Sequence, residues 1–240
     1  MGQFHKQFFI PKEEIPIVAL MPEQLLFLIH DKEFEKSLPP ALQRTKDVFV
    51  FGCTVGLRYS DLSSLTTGNI EHQAGGWYLK VNSQKTNTHT SILLPQYAVE
   101  IIKKNTKSRK KQLLPILSKF NFNKQLKMIA EKAAWTHIIA RTRQKRGKAC
   151  AQVKESSQEQ YRFCDIISSH TMRRTAITTL LSLGMPELLV RKVSGHAPNS
   201  KEFFKYVALS QQYLDNETNR AYNILSQNNN SHNLPAKITV

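Results

Sequence analysis

The sequence predicts an α+β fold, mainly helical, with one small antiparallel β-sheet, and three observations predict it. Apolar side chains recur at helical spacing from about residue 22 to 65 and again beyond residue 170. Between these blocks, residues 69–94 carry aromatic and β-branched runs separated by Gly75-Gly76 and by the polar run 83–90, a pattern of short strands and turns. No internal repeat is present, so the chain is not a repeat array.

In chain order, residues 4–19 hold Pro11 and Pro16 in an extended, mixed-charge segment, so residues 1–20 read as an interdomain linker, the end of something longer. Pro22 suits the first position of a helix and Glu23 its positive end, with Leu25, Leu26, Leu28 and Ile29 forming one apolar face. A second helix is expected over residues 42–53, burying Val48, Phe49 and Phe51. Gly56 then turns the chain into a short helix carrying Arg58, Asp61, Leu62 and Leu65. Strands are expected at 69–70, 77–81 and 91–94, with Lys85 near a hairpin tip and Pro95 ending the sheet. Helices should cover 96–104 and 124–135. The cationic run 141–148 and the polar run 152–160 read as loop. Helices resume at 171–183, closed by Gly184, and at 187–193, opened by Pro186. One further helix should contain Phe203 to Tyr206, and another should span 211–225. Residues 227–240 are low in complexity and expected to be disordered, which leaves 21–226 as the folded domain.

Composition narrows the partners. With 34 Lys plus Arg against 18 Asp plus Glu, the formal net charge is +16 and the pI about 9.8, so a polyanion is expected, nucleic acid first. Hydrophobic residues make up 40% of the chain, enough for a core, which excludes disorder of the whole. No stretch approaches the ~18 unbroken apolar residues of a spanning helix and no signal peptide opens the chain. A cytoplasmic, nucleoid-associated protein without membrane contact is expected. Cys53, Cys150 and Cys164 are odd in number and widely spaced without a CxxC pair, so they read as buried or free thiols rather than a zinc site or disulfide framework. Neither a Walker loop nor a carboxylate cluster is visible, so no metal and no nucleotide cofactor is expected.

Six side chains in order, Arg58, Lys85, His170, Arg173, His196 and Tyr206, are the parts needed to break a phosphodiester without a metal. A tyrosine hydroxyl can attack phosphorus and stay linked to it, conserving the bond for rejoining. Guanidinium and imidazole groups can neutralise charge growing on the non-bridging oxygens. A lysine can protonate the departing oxygen. Taken singly, each has a plainer reading. Arg58 could cap a helix, His196 could be a loop histidine, Lys85 a solvated hairpin lysine with Lys80 nearby, and Tyr206 a packed ring within Phe203-Phe204-Lys205-Tyr206-Val207. His170 and Arg173 put positive charge at the start of a helix, against its dipole, which a bound phosphate would offset. The joint order favours the chemical reading over the plain ones.

The segments 54–62 (Thr-Val-Gly-Leu-Arg-Tyr-Ser-Asp-Leu), 170–176 (His-Thr-Met-Arg-Arg-Thr-Ala), 183–186 (Leu-Gly-Met-Pro) and 193–196 (Val-Ser-Gly-His), followed by Tyr206, closely resemble the catalytic domain of tyrosine recombinases, the family of phage and conjugative-transposon integrases and chromosome-dimer resolvases. The resemblance spans roughly residues 21–225. It implies a mainly helical catalytic domain that integrates or excises a mobile element through a 3′-phosphotyrosine. Position by position, it implies that Arg58 and Arg173 clamp the scissile phosphate and that Lys85 is the general acid. His170 would accept or relay the nucleophile's proton, His196 would hydrogen-bond a phosphate oxygen, and Tyr206 would be the nucleophile. Asp61 would support the site, and Tyr213 is the fallback nucleophile. The resemblance further implies double-stranded DNA as substrate, four protomers on paired DNA sites with the isolated domain a monomer, and an N-terminal DNA-binding domain preceding the linker.

Two departures from the family pattern stand out. His196 and Tyr206 are ten positions apart, one longer than the common spacing, and the stretch between Lys85 and His170 is long. The surplus falls on the basic segment, where Arg141, Arg143, Lys145, Arg146 and Lys148 either contact DNA phosphates or form a solvated loop. The 211–225 helix either docks on a neighbouring protomer or packs on its own domain. The rival functions are an inactive DNA-binding protein of the same architecture and a type IB topoisomerase-like enzyme; a basic RNA-binding module would lack its RNP or KH signature here.

Overall fold

The computed structural model describes residues 18–82, 89–105, 111–115, 117–140, 142–145, 148–151, 153–154, 157, 159–197 and 200–228, and for 142–145, 148–150 and part of the stretch beyond 211 the backbone alone. In chain order the elements are α1 (Pro22–His30), α2 (Lys32–Ser37), α3 (Pro40–Val55), α4 (Tyr59–Ser63), β1 (Ile70–Gln73), β2 (Gly76–Asn82), β3 (His89–Leu93), α5 (Gln96–Asn105), α6 (Lys119–Lys132), β4 (Thr142–Lys145), β5 (Lys148–Ala151), α7 (Phe163–Ile166), α8 (Ser169–Ser182), α9 (Glu187–Ser194) and α10 (Lys201–Asn228). Among the described residues, no helix is long and apolar enough to cross a membrane.

The centre of the fold is the crossing of α3 and α8. Pro40 starts α3, and Gly56 ends it in the left-handed region at φ +66°, which a side chain would strain. The two helices come close because Gly52 has no side chain; a Cβ there would run into the Met172 thioether of α8. Around this crossing the main core gathers Leu28, Phe49, Phe51, Val55, Leu62, Leu79, Phe122, Leu126 and Met172. Each such side chain contributes roughly 1.5–3 kcal/mol on burial. A second, smaller cluster of Ile177, Leu181, Val190, Phe203 and Tyr206 joins the C-terminal half of α8 to α9 and the start of α10.

The expected sheet is present as an antiparallel meander, β1-β2-β3. Gln73 pairs with Gly76 across a two-residue turn, Ala74-Gly75. Leu79 and Val81 of β2 and Thr90 and Ile92 of β3 turn inward, following the period-two alternation. The Thr90 hydroxyl donates to the Lys192 carbonyl of α9 at 3.4 Å, so the sheet is tied to the segment that leads to His196.

Several expectations are corrected. Val18 and Leu20 are buried in the main core and the Leu20 N–H donates to Thr175 Oγ1 at 2.8 Å, so the linker does not extend to residue 20. Two short helices, α2 and α7, were not expected. They are set by local caps: the Asp31 carboxylate accepts from the Phe34 N–H at 2.8 Å, and Asp165 accepts from the Arg162 N–H at 2.9 Å. The helix expected at 124–135 runs instead over α6, because Ser118 caps it by accepting from the Asn121 N–H at 3.2 Å, and Trp135 leaves it to stack edge-on against Phe163. The cationic run is a β-hairpin in its backbone rather than a loop, Thr142 to Lys145 pairing with Lys148 to Ala151. The two helices expected around Phe203 and over 211–225 are one helix, α10. No Gly or Pro lies between 207 and 211, and the Ser210 hydroxyl donates back to the Val207 carbonyl at 2.8 Å without breaking the turn. That helix continues to Asn228, past the point where disorder was expected; residues 229–240 lie outside the described residues.

Candidate active site

Three of the six expected side chains, Arg173, His196 and Tyr206, are in contact with one another. Arg173 lies one turn into α8, buried, and its Nη1 donates to the Gly56 carbonyl at 3.0 Å. The left-handed Gly56 thus does two things: it ends α3, and it turns the carbonyl at the negative end of the helix toward a guanidinium. Arg173 Nη2 lies 3.1 Å from Nδ1 and 3.2 Å from Nε2 of His196. The His196 ring packs edge-on against Tyr206, with centroids 5.9 Å apart, and against Phe203 at 5.5 Å. Tyr206 is 8% exposed and belongs to the small cluster.

Arg58 stands half-buried at the N-cap position of α4. Its charge is felt by Arg173, His170 and His196 alike, which places it in the same field. Burial and then Arg58 lower the Arg173 pKa to about 10, while Tyr206 and the buried Asp61 pull the other way. Arg173 therefore stays charged at neutral pH. Two guanidiniums held this way repel each other, and an anion between them would offset that cost.

Both imidazoles are pushed toward the neutral form. Burial first, then Arg173, Arg58 and Arg191, lower His196 to about 3. His170, exposed as the second residue of α8, is lowered by burial of part of its ring and by Arg174, Lys119, Arg173 and Arg58. The first turn of α8 carries no acidic residue, and the Ser169 N–H is taken by Asn123 Oδ1 at 2.8 Å. A neutral His170 can accept a proton; a neutral His196 can accept a hydrogen bond from Arg173.

Lys85 lies outside the described residues, on the connection that joins Asn82 to its β3 partner His89. Its neighbour in the sequence reading, Lys80, pairs with Glu71 across β1 and β2 on the exposed face. Arg141 and Arg146 also lie outside the described residues, and Arg143, Lys145 and Lys148 are described by backbone alone, as is Tyr213 in α10. Cys53 and Cys164 are buried free thiols, as read from their spacing, and burial pushes the Cys53 thiol up. Among the described residues, no cluster of His, Cys, Asp or Glu could hold a metal ion.

Two residues of the site escaped the sequence reading. Arg191 is buried with its guanidinium carbon 3.9 Å from the Phe203 ring centroid, and its Nη1 donates to the Ala197 carbonyl at 3.2 Å, so it ties the chain leading to Tyr206 onto α9. Its spacing from Glu187, with the two groups 3.7 Å apart, was the available signal. Ser194 is buried, and its hydroxyl lies 2.8 Å from His196 Nδ1 and 2.7 Å from the Val190 carbonyl. Nothing in Val193-Ser194-Gly195-His196 singled it out.

Residues 24–212 match the model of the phage integrase family. Among solved structures, the chain is similar to the XerH site-specific recombinase bound to difH substrate, at 14% identity and a TM-score of 0.55, covering 79% of this chain and 50% of that one. It is similar to XerA recombinase at 15% identity and a TM-score of 0.52, covering 88% and 66%. It is also similar to the Tn1549 transposon integrase in complex with circular intermediate DNA, at 16% identity and a TM-score of 0.54, covering 85% and 67%. At these identities the likeness shows the fold, and the chain spans half the length of the XerH chain it matches. No curated protein sequence matches it.

Proposed function

The chain belongs to the phage integrase family, and from that premise we propose that it is the catalytic domain of a site-specific DNA recombinase that integrates or excises a mobile element. The observation that carries the reading is the contact chain from Gly56 through Arg173 and His196 to Tyr206, with the charge of Arg58 upon it. A guanidinium pair fits the equatorial oxygens of a pentacoordinate phosphorus, and the hydroxyl of a tyrosine beside it is the nucleophile such a site calls for.

In the proposed step, Tyr206 Oη forms a bond to phosphorus while the bond to the 5′-oxygen breaks. The tyrosine proton passes to neutral His170, and Lys85 protonates the departing oxygen. The products are a 3′-phosphotyrosine and a 5′-hydroxyl, and the hydroxyl of a partner strand reverses the step. Arg58 and Arg173 neutralise the additional negative charge of the transition state without a metal ion. Asp61 supports Arg173, and His196 acts next to it on the same phosphate. The substrate is double-stranded DNA held largely through phosphates, as the net charge of +16 favours, with Arg141, Arg143, Lys145, Arg146 and Lys148 contributing. Strand exchange takes four protomers on paired sites, with the isolated domain a monomer, in the cytoplasm.

The test is covalent capture on a pool of nicked suicide duplexes. The wild-type chain should become linked to DNA, and Tyr206→Phe should shift the same DNA in a gel yet capture none. Capture by the Phe variant would show the nucleophile to be another residue, Tyr213 first. Gel shift without capture by the wild type would leave a DNA-binding protein without this activity.

A further inference from the structure

Arg58 and His170 stand on different helices, α4 and α8, and the first two turns of α6 are tied to the residue beside each. Tyr59, directly after Arg58, donates from its hydroxyl to the Leu117 carbonyl at 2.8 Å, one residue before the Ser118 cap of α6. Its ring packs on Phe122 of α6 with centroids 4.8 Å apart. Asn123, one residue on from Phe122, accepts through Oδ1 from the N–H of Ser169, directly before His170, at 2.8 Å. A backbone N–H can only donate, so this bond fixes which end of the Asn123 amide faces α8. The strut itself is firm, because Phe122, Leu126 and Ile129 of α6 are buried in the main core. Neither neighbour is rigid alone. Arg58 lies at the N-cap position of a five-residue helix, and the N–H of buried Ser169 is one of the donors at the start of α8 that no helical turn can satisfy.

We infer that Asn123 is a positioning residue: its bond to the Ser169 N–H sets where His170 stands relative to Arg58, with α6 as the strut between them and Tyr59 at its other end. Helix ends fray, and a side chain in the first turn keeps its place only when that turn is held from outside. Arg173, deeper in α8, is held by the Gly56 carbonyl; Asn123 does the corresponding work for His170. Charge marks the same neighbourhood. Burial and then Arg174, Lys119, Arg173 and Arg58 lower the His170 pKa, so the Lys119 ammonium of α6 lies within electrostatic reach of the ring. Asn123 follows Lys119 by four residues on the same face of that helix. The consequence for DNA cleavage rests on the proposed recombinase reading; the placing of His170 does not.

Two variants separate the acceptor from its charge. Asn123→Ala removes the acceptor, while Asn123→Asp keeps it and adds a negative charge near His170. In single-turnover cleavage of a nicked suicide duplex, Asn123→Ala should be slower by about 10- to 100-fold, with gel-shift affinity within about threefold of wild type. Asn123→Asp should recover most of that loss above the acid limb of the pH–rate profile. The limb itself should move to higher pH, because a carboxylate near the ring favours its charged form and His170 accepts a proton only when neutral. Amide hydrogen exchange of the full chain without DNA reads the bond directly: the Ser169 amide should be protected in the wild type and in Asn123→Asp, and exchange at least about tenfold faster in Asn123→Ala. Because Asn123→Asp keeps the bond, its pH profile and exchange decide the matter even where Asn123→Ala does not fold. A Ser169 amide unprotected in the wild type, wild-type cleavage by Asn123→Ala, or an unmoved acid limb in Asn123→Asp overturns the inference. A wild-type chain with the expected exchange pattern that never cleaves DNA overturns the recombinase reading and leaves the hold of Asn123 on the start of α8 intact.

Discussion

Arg173 and Tyr206 meet in one site but are held by different parts of the molecule. Arg173 rises from the half of α8 that crosses α3, where the main core comprises 32 buried apolar side chains among the described residues. Tyr206 stands on the start of α10, in a cluster of five. Burial scales with the free energy needed to open a region, so the proposed anion clamp sits where local opening is costlier than it is at the proposed nucleophile. The difference would suit the proposed chemistry, in which the phosphate is gripped throughout while the tyrosine attaches and later lets go.

The comparison can be broken most directly by truncating a ring on each side. Phe51→Ala, in the main core, should lower unfolding stability by about 3–5 kcal/mol in denaturant titrations while the folded fraction still cleaves DNA. Phe203→Ala, the same truncation in the cluster of five, should lower stability less than Phe51→Ala does yet slow cleavage by about tenfold or more, because the ring it removes braces both His196 and Tyr206. Equal effects of the two on stability and on rate would erase the distinction between the regions.

Removing the clamp is the next largest change. Arg173→Lys should slow single-turnover cleavage by roughly 10²–10³-fold, since the single nitrogen of a lysine cannot span the positions from which Nη1 and Nη2 reach the Gly56 carbonyl and His196. Gel-shift affinity should change far less, because many other cations hold the DNA. Gly52→Ala probes the crossing beneath Arg173. The added methyl meets Met172, and a loss of about 1–3 kcal/mol is expected in thermal or denaturant unfolding.

A subtler effect separates the regions by pH. His196 has a folded pKa of about 3 against an ordinary value of 6.5, and His170 is lowered as well. A histidine lowered on folding takes up its proton in the unfolded chain first. Its contribution is thus present above the unfolded pKa and is lost as pH falls toward the folded one. Unfolding stability should decline from pH 6.5 to 5, and His196→Gln should flatten that decline. A pH profile unchanged by His196→Gln would mean the ring is not held neutral. At the small end, Lys36→Ala removes a pair with Glu33 in which both side chains are exposed, and should move stability by less than about 0.5 kcal/mol.

Much of this was legible in the chain because it is local. Pro22 and Pro186 mark helix starts, Gly56 and Gly184 take left-handed backbone at helix ends, and the run through Leu79 and Val81 gives the sheet its strand. Apart from the short capped helices α2 and α7, what was not legible involves partners in other elements. Lys46 and Asp47 lie in the middle of α3, where a helical pattern puts apolar residues, yet both are buried. They are kept there by Glu35, 3.1 Å from Lys46, and by Lys104, 2.8 Å from Asp47. Burial alone would raise the Glu35 carboxyl, but Lys104 and Lys46 outweigh it and hold it at about 2. No periodicity within residues 40–55 reveals a cation from α5.

The division follows the range of the forces. Residue identity and order named the candidate groups, Arg58, Lys85, His170, Arg173, His196 and Tyr206, and most of the helices and strands, because caps, dihedral preferences and hydrophobic period act over a few residues. The tertiary structure decided how those groups face one another: that a carbonyl at the end of α3 receives Arg173, that Ser194 stands behind His196, that Arg191 ties down the approach to Tyr206, and that α10 runs unbroken. The first of those arrangements depends on a chain crossing more than a hundred residues apart in sequence, where loop-closure entropy and packing, rather than local preference, select the winner.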